Sequence, residues 1–201
     1  MSGARVAIVD SGGANIASLT YALDRLGIKS TLTRDAQTIR NASHVILPGV
    51  GAAADAMQRL NSNDLSTVIT ELGQPVLGIC LGMQLFAKAS EEETTECLGV
   101  IPAMVEKLQG SPQMPVPNMG WCRVRQSGSH ELFAGIANNS YFYFVHSYVL
   151  PVGEYTLAQA EHSQPFTAVL AQGNFFATQF HPERSATVGS QLLSNFAGLR
   201  T

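Results

Sequence analysis

The sequence predicts an α/β protein: a mostly parallel sheet flanked by helices, with an added antiparallel portion in its second half. Three observations carry this. Over residues 6–80, short apolar runs alternate with stretches of helical periodicity, the rhythm of βαβ units. Over residues 141–180, strand-like runs follow one another across short turns. Hydrophobic residues make up 45% of the 201-residue chain and charged ones only 13%. That is enough apolar material for one sizeable core without disulfides or a structural metal, so residues 1–201 are expected to form one domain.

The elements follow in order. Residues 6–9 read as a buried strand. Residues 15–27 carry Ile16, Leu19, Leu23 and Leu26 at helical spacing, and Gly27 is a natural stop. Residues 29–33 and 44–47 are the next strands, the latter running into Pro48-Gly49-Val50-Gly51. A helix is expected over 52–60, and Asp64 is expected to cap another through Leu72. Residues 75–79 form a short apolar strand that leads directly into Cys80. In the second half, 111–117 is a proline-rich loop. Residues 141–149, 156–161, 166–171 and 174–180 read as strands. A last helix over 187–199 puts Val188, Leu192, Leu193 and Phe196 on one side.

The net charge is −3 and Lys/Arg form no blocks, so binding to nucleic acid or an anionic membrane has no electrostatic support. No apolar run approaches the roughly 18 residues of a membrane helix. The N-terminus lacks the layout of a signal peptide, and the cytoplasm is the expected compartment. Cys80, Cys97 and Cys122 form neither a C-x-x-C pair nor a zinc-like cluster; free thiols, no metal and no cofactor are expected. The low charge leaves neutral surface of the kind a permanent protein partner covers.

Four segments carry chemistry. In Gly78-Ile-Cys80-Leu-Gly82-Met-Gln84 a strand ends, a nucleophile-type residue sits at the turn and a helix begins, as in the nucleophile elbow of hydrolases. That geometry sets the thiol at the carboxyl end of the sheet, facing a helix N-terminus that favours a thiolate and an oxyanion. The plainer reading, a buried cysteine between packing glycines, is outweighed by the flanking glycines. In Gln179-Phe-His181-Pro-Glu183-Arg-Ser185, Pro182 biases His181 towards an extended backbone, which puts Glu183 on the same side. The carboxylate can then hold one ring nitrogen and leave the other for a thiol. Taken alone, H-P-E reads more readily as a surface turn. The glycines of Pro48–Gly51 permit a peptide flip that donates an N–H to an oxyanion, or an ordinary βα turn. Finally, Phe144-Val-His146-Ser147-Tyr148 is polar at the end of an aromatic strand. His146 is a rival general base there, although a satisfied strand histidine is the better reading.

Together these segments resemble the class I (triad-type) glutamine amidotransferases. Within that family, P-G-V-G, G-I-C-L-G-M-Q-L, S-E-E, M-G-W, Y-F-V-H-S-Y and F-H-P-E-R-S, at 48–51, 78–85, 90–92, 119–121, 143–148 and 180–185, are similar to the glutaminase subunits that serve histidine biosynthesis. The resemblance covers nearly the whole chain. It implies a flavodoxin-like sheet and a Cys80–His181–Glu183 triad acting on L-glutamine. It also implies oxyanion donors at Leu81 and a rearranged Val50–Gly51 peptide. Gln84 and Glu92, with the backbone of Ser147 and Tyr148, would hold the glutamine head group. Ammonia would pass to a (β/α)8-barrel cyclase subunit in a heterodimer, with the glutaminase nearly silent until that partner binds its ligand. The chain departs from the family pattern at Asn118, where His is usual, at Cys122, where Asn is usual, and at Ala177-Thr178 and Glu161-His-Ser163; none of these touches the triad.

Three alternatives stand beside this reading. They are a glutaminase for another acceptor, such as anthranilate or aminodeoxychorismate synthase, a stand-alone cysteine hydrolase, and a non-catalytic module. P-G-V-G, M-G-W and V-H-S-Y count against the first, and the intact triad against the last. Asn118, Met119 and Trp121 are expected at the partner interface, with Asn118 and Cys122 in a loop near it. Trp121, the only tryptophan, reads either as a core residue or as an interface anchor.

Overall fold

The computed structural model describes residues 4–12 and 16–200. The strands are β1 (Arg5–Val9), β2 (Lys29–Thr33), β3 (His44–Gly49), β4 (Val76–Cys80), β5 (Ala87–Ser90), β6 (Thr95–Glu96), β7 (Ile101–Lys107), β8 (Asn118–Gln126), β9 (Ser140–His146), β10 (Tyr148–Val149), β11 (Thr156–His162), β12 (Gln164–Gln172) and β13 (Phe175–Thr178). The α-helices are α1 (Ile16–Arg25), α2 (Ala36–Asn41), α3 (Ala53–Asn61), α4 (Leu65–Thr70), α5 (Leu81–Gln84) and α6 (Ala186–Gly198). Asn15, the expected start of the first helix, lies outside the described residues.

Nine strands form one sheet in the order β2-β1-β3-β4-β13-β12-β11-β8-β9. From β2 to β13 the neighbours are parallel; from β13 to β9 they are antiparallel. Strand β13 is the seam, standing where a flavodoxin-like order 2-1-3-4-5 has its fifth strand. The burial pattern follows this division. Every residue of β4 is buried, as in a central parallel strand covered on both faces, whereas β8 alternates between buried and exposed. Helices α1 and α6 cover one face through Leu19, Leu23, Leu192 and Phe196, packed on Ile46 and Leu77. Helices α3 and α4 cover the other through Leu60, Leu65 and Ile69, packed on Val45 and Leu47. A second sheet, β10-β7-β5-β6, lies beyond the carboxyl end of β4.

Most elements lie where the periodicity puts them, and α1 ends on Gly27 at φ +70°, whose N–H bonds Asp24 O at 2.9 Å. Three expectations are corrected, and one is made more definite. Asp64 stands before α4 in a left-handed conformation (φ 54°, ψ 17°) and makes no side-chain cap; its N–H closes a turn on Asn61 O instead. The run 141–149 is not one strand. It breaks at Ser147, whose carbonyl accepts from Leu108 N at 2.9 Å, and Tyr148 pairs with Lys107 in the second sheet. The helix expected after Cys80 forms as a single turn: the Leu85 carbonyl accepts from Leu98 N, between β6 and β7, and the Phe86 carbonyl from Ile101 N of β7. Asn118–Cys122 belongs to strand β8 rather than to a loop.

The glycines around Cys80 are packing requirements. A Cβ on Gly82 would lie 1.8 Å from the Leu47 carbonyl oxygen, and one on Gly78 would lie 2.7 Å from the Gly82 carbonyl oxygen. Both obstacles are backbone and cannot swing away. Gly82→Ala is expected to destabilise the fold by about 3 kcal/mol or more, read as a lower urea midpoint with unchanged m. An unfolding curve superimposable on that of the unaltered chain would show that the elbow is not packed this closely.

Candidate active site

Cys80 closes β4 with φ 54° and ψ −107°, a conformation that non-glycine residues rarely adopt and that tertiary packing must hold in place. The side chain is 8% exposed. Its sulfur lies 3.8 Å from the Val145 carbonyl oxygen and 3.8 Å from Gln179 Nε2, which donates to it. Gln179 is fully buried, and its Oε1 accepts from Gln84 Nε2 at 3.2 Å.

His181 stands on the loop after β13. Its backbone is gripped at both ends by β9. The His181 N–H donates to Tyr143 O at 2.9 Å; the His181 carbonyl accepts from Ser185 Oγ at 2.7 Å, and the same hydroxyl accepts from Tyr143 N at 3.0 Å. The ring Nδ1 donates to Glu183 Oε1 at 2.8 Å, with both side chains buried. The expected pair therefore forms, but Glu183 reaches the ring from a 3-10 turn (Pro182–Arg184), not from an extended strand. Burial pushes the imidazole down. Its interactions with Cys80 and with Glu183 outweigh burial and raise it to about 10. The His181 ring thus keeps its proton at neutral pH beside the Cys80 sulfur.

The structure brings the remaining candidates together. Val50, Gly51, Leu81, Gln84, Glu92, Ser147 and Tyr148 line one cavity of about 330 Å³ with Cys80 and His181. Gly51 has φ +93°, and Ser11 Oγ ties the loop by donating to Pro48 O at 2.9 Å. Gln84 Nε2 also donates to Tyr148 O at 3.0 Å.

His146 lines the same cavity without being able to act as the base. Its Nδ1 donates to Tyr148 O and its Nε2 accepts from Asn118 Nδ2, both at 3.0 Å, and burial lowers it to about 4. Asn118 is 3% exposed and faces inward, as alternation along β8 requires, so its expected place at a partner surface is corrected. Cys122 Sγ donates to Asn118 Oδ1 at 3.6 Å, so the two departures from the family pattern touch each other. Met119 (66%) and Trp121 (51%) point outward. Sequence reasoning gives Gln179, Ser185 and the Val145 carbonyl no role. Apart from the Ser185 bond to the His181 carbonyl, their partners are distant in sequence, and the only local signal is a polar residue inside a buried aromatic run. Among the described residues, no cluster of three or more His, Cys, Asp or Glu side chains could hold a metal ion. No helix among them is long and apolar enough to cross a membrane.

A thiol on a strained elbow, with a carboxylate-held imidazolium beside it, is the equipment of amide-opening cysteine hydrolases. The family model described as Glutamine amidotransferase class-I matches residues 7–198, and the chain belongs to that family. It is 46% identical over 200 residues to imidazole glycerol phosphate synthase subunit HisH of Vibrio cholerae, covering 96% of this chain and 98% of the relative. It is 50% identical over 196 residues to subunit HisH 2 of Legionella pneumophila strain Lens, covering 98% of each. Among solved structures it is similar to a putative GMP synthase component of Thermoplasma acidophilum, with a TM-score of 0.76, 22% identity and coverage of 98% of this chain and 94% of that one. It is also similar to PurLQS of Thermotoga maritima, with a TM-score of 0.70, 17% identity and coverage of 98% and 99%. At such identities these two structures speak for the fold alone.

Proposed function

We propose that this chain is the glutaminase subunit of an imidazole glycerol phosphate synthase, hydrolysing L-glutamine at Cys80 and supplying ammonia to a (β/α)8-barrel cyclase subunit in a cytoplasmic heterodimer. The Cys80–His181–Glu183 arrangement in a cavity lined by every residue expected to hold glutamine carries the reading. The Cys80 thiolate attacks the side-chain carboxamide carbon. The N–H of Leu81 and a rearranged Val50–Gly51 peptide take the oxyanion. His181 gives its proton to the departing nitrogen, the C–N bond breaks, and ammonia leaves a glutamyl thioester. The now neutral His181 takes a proton from water, whose oxygen attacks the thioester; sulfur departs, glutamate is released and His181 is again protonated. Glu183 fixes the ring and stabilises its charge. Glutaminase assays with and without the cyclase partner and its nucleotide ligand test the assignment. Full activity of the isolated chain, indifferent to the partner, would instead favour a stand-alone hydrolase.

The outward face of β8 and β9 is the proposed docking surface. Trp121 meets Tyr143 edge-on at 6.0 Å, Arg184 lies 4.6 Å over the Tyr143 ring and Arg123 lies 5.3 Å over Tyr141. Aromatic and arginine side chains are the usual anchors of interfaces. Trp121→Ala is expected to raise the dissociation constant for the cyclase partner about tenfold or more, or to raise ligand-independent glutaminase activity. The isolated chain's Tm should hold, because the ring is half exposed. Partner binding should also shift tryptophan emission, read against a tryptophan-free partner. Unchanged emission at saturation, with normal association and activation of the alanine variant, would make Trp121 a plain packing residue.

A further inference from the structure

We infer that Glu92 is a joint between the bound substrate and the oxyanion loop, holding glutamine's α-ammonium with its carboxylate while anchoring the start of α3. This rests on the proposal that Glu92 meets the glutamine head group, and it adds what that contact does. Helix α3 begins directly after Val50-Gly51-Ala52. Its cap position is Ala52, which has no side-chain acceptor. Glu92, 39 residues away, supplies one: its Oε2 accepts from Ala53 N at 2.8 Å. A carboxylate at a helix N-terminus satisfies an orphan N–H and faces the positive end of the helix. It has lone pairs left for a second donor, and Glu92 lines the cavity beside Val50, Gly51 and Cys80.

Glu92 is itself a fixed post. Its N–H donates to Ser90 Oγ at 3.1 Å, and its carbonyl accepts from Thr95 Oγ1 at 2.7 Å. Glu93 and Thr94, which follow it, both have positive φ (53° and 50°). Strained backbone held by side-chain bonds is found where a group must be aimed. A substrate ammonium drawn to this carboxylate therefore engages the same atom group that fixes the first turn of α3, two residues past Gly51. A ligand lacking the ammonium leaves one side of the joint empty.

Two variants separate the two arms, assayed in the complex with the cyclase partner and its nucleotide ligand. In Glu92→Gln an amide oxygen still accepts from Ala53 but the charge is gone. KM for glutamine should rise by roughly 10- to 100-fold, the scale of a charged hydrogen bond, with kcat largely kept. Toward glutaramate, which has no α-amino group, the same variant should match the unaltered enzyme. In Ala53→Pro the N–H is deleted at the first helical position, where proline fits, and Ala52 already has the extended backbone (φ −86°, ψ 144°) that precedes proline. Here kcat should fall roughly tenfold with KM for glutamine kept, the scale of one lost cap read in the barrier. Glu92→Ala should combine both losses and serves if the proline variant folds poorly. If Glu92→Ala and Glu92→Gln share one kcat, the link to the loop is overturned and the head-group contact stands. If Glu92→Gln leaves KM for glutamine unchanged, the head-group contact itself is wrong and Glu92 is only a cap.

Discussion

Cys80→Ala is expected to abolish glutamine hydrolysis in the assembled enzyme, with a loss of about 10⁵-fold or more, the scale seen when a triad nucleophile is removed. The same variant should still bind the cyclase partner and support its reaction when ammonia is supplied directly, because the alanine removes the thiol and leaves the elbow. The geometry makes the assignment specific among three cysteines. Cys80 lines the cavity beside an imidazolium. Cys97 is pushed up to about 11, first by burial and then by the charge of Glu92, and Cys122 is raised by burial against the lowering bond to Asn118. Neither is a thiolate near neutral pH, so neither should compete for an electrophile. A diazo-ketone analogue of glutamine should label Cys80 in the activated complex. Mass spectrometry that places the adduct on Cys97 or Cys122 would remove Cys80 from the mechanism.

The elbow was legible because its causes are local. Gly78 and Gly82 are demanded by backbone only 2.7 and 1.8 Å away, and such demands appear in the sequence as glycines at fixed offsets from the nucleophile. The parallel core was legible for the same reason: β3 and β4 are buried on both faces and read as unbroken apolar runs. The second sheet was not legible. In β7 burial alternates over 101–105, but the exposed Pro102 and Met104 are apolar like the buried Ile101 and Val105, and β5 and β6 are only four and two residues long, so no apolar–polar alternation is there to be read. The supports of the site were hidden by sequence distance. Gln179 meets Cys80 across 99 positions, Asn118 meets His146 across 28, and Ser185 holds Tyr143 across 42. Asn118 illustrates the cost. Its neighbours Met119 and Trp121 do face outward, yet alternation on a strand turns Asn118 in, and only the strand assignment reveals which way it points.

Glu183→Gln should keep the fold, keep KM and lower kcat by about 10³- to 10⁴-fold, as loss of the orienting carboxylate does in serine triads. The amide can still accept the Nδ1–H bond, so the ring stays in place. What is lost is the charge that favours the imidazolium, and that proton is the one the departing ammonia takes. His181 is raised to about 10 against the opposing effect of burial, by its interactions with Cys80 and with Glu183. Removing the Glu183 charge lowers it, so the alkaline limit of kcat should move to lower pH in the variant. Stability should report the same change with a definite sign. Below the ordinary histidine value of 6.5, folded and unfolded chains both carry the proton and the pairing contributes fully. As pH rises from there towards about 10, the unfolded chain releases the proton first, and the contribution is progressively lost. The unaltered protein should therefore lose urea resistance between pH 7 and pH 10, and Glu183→Gln should show a shallower decline. Equal slopes in the two proteins, together with an unmoved alkaline limit of kcat, would mean that Glu183 only positions the ring and that Cys80 alone holds the proton on His181.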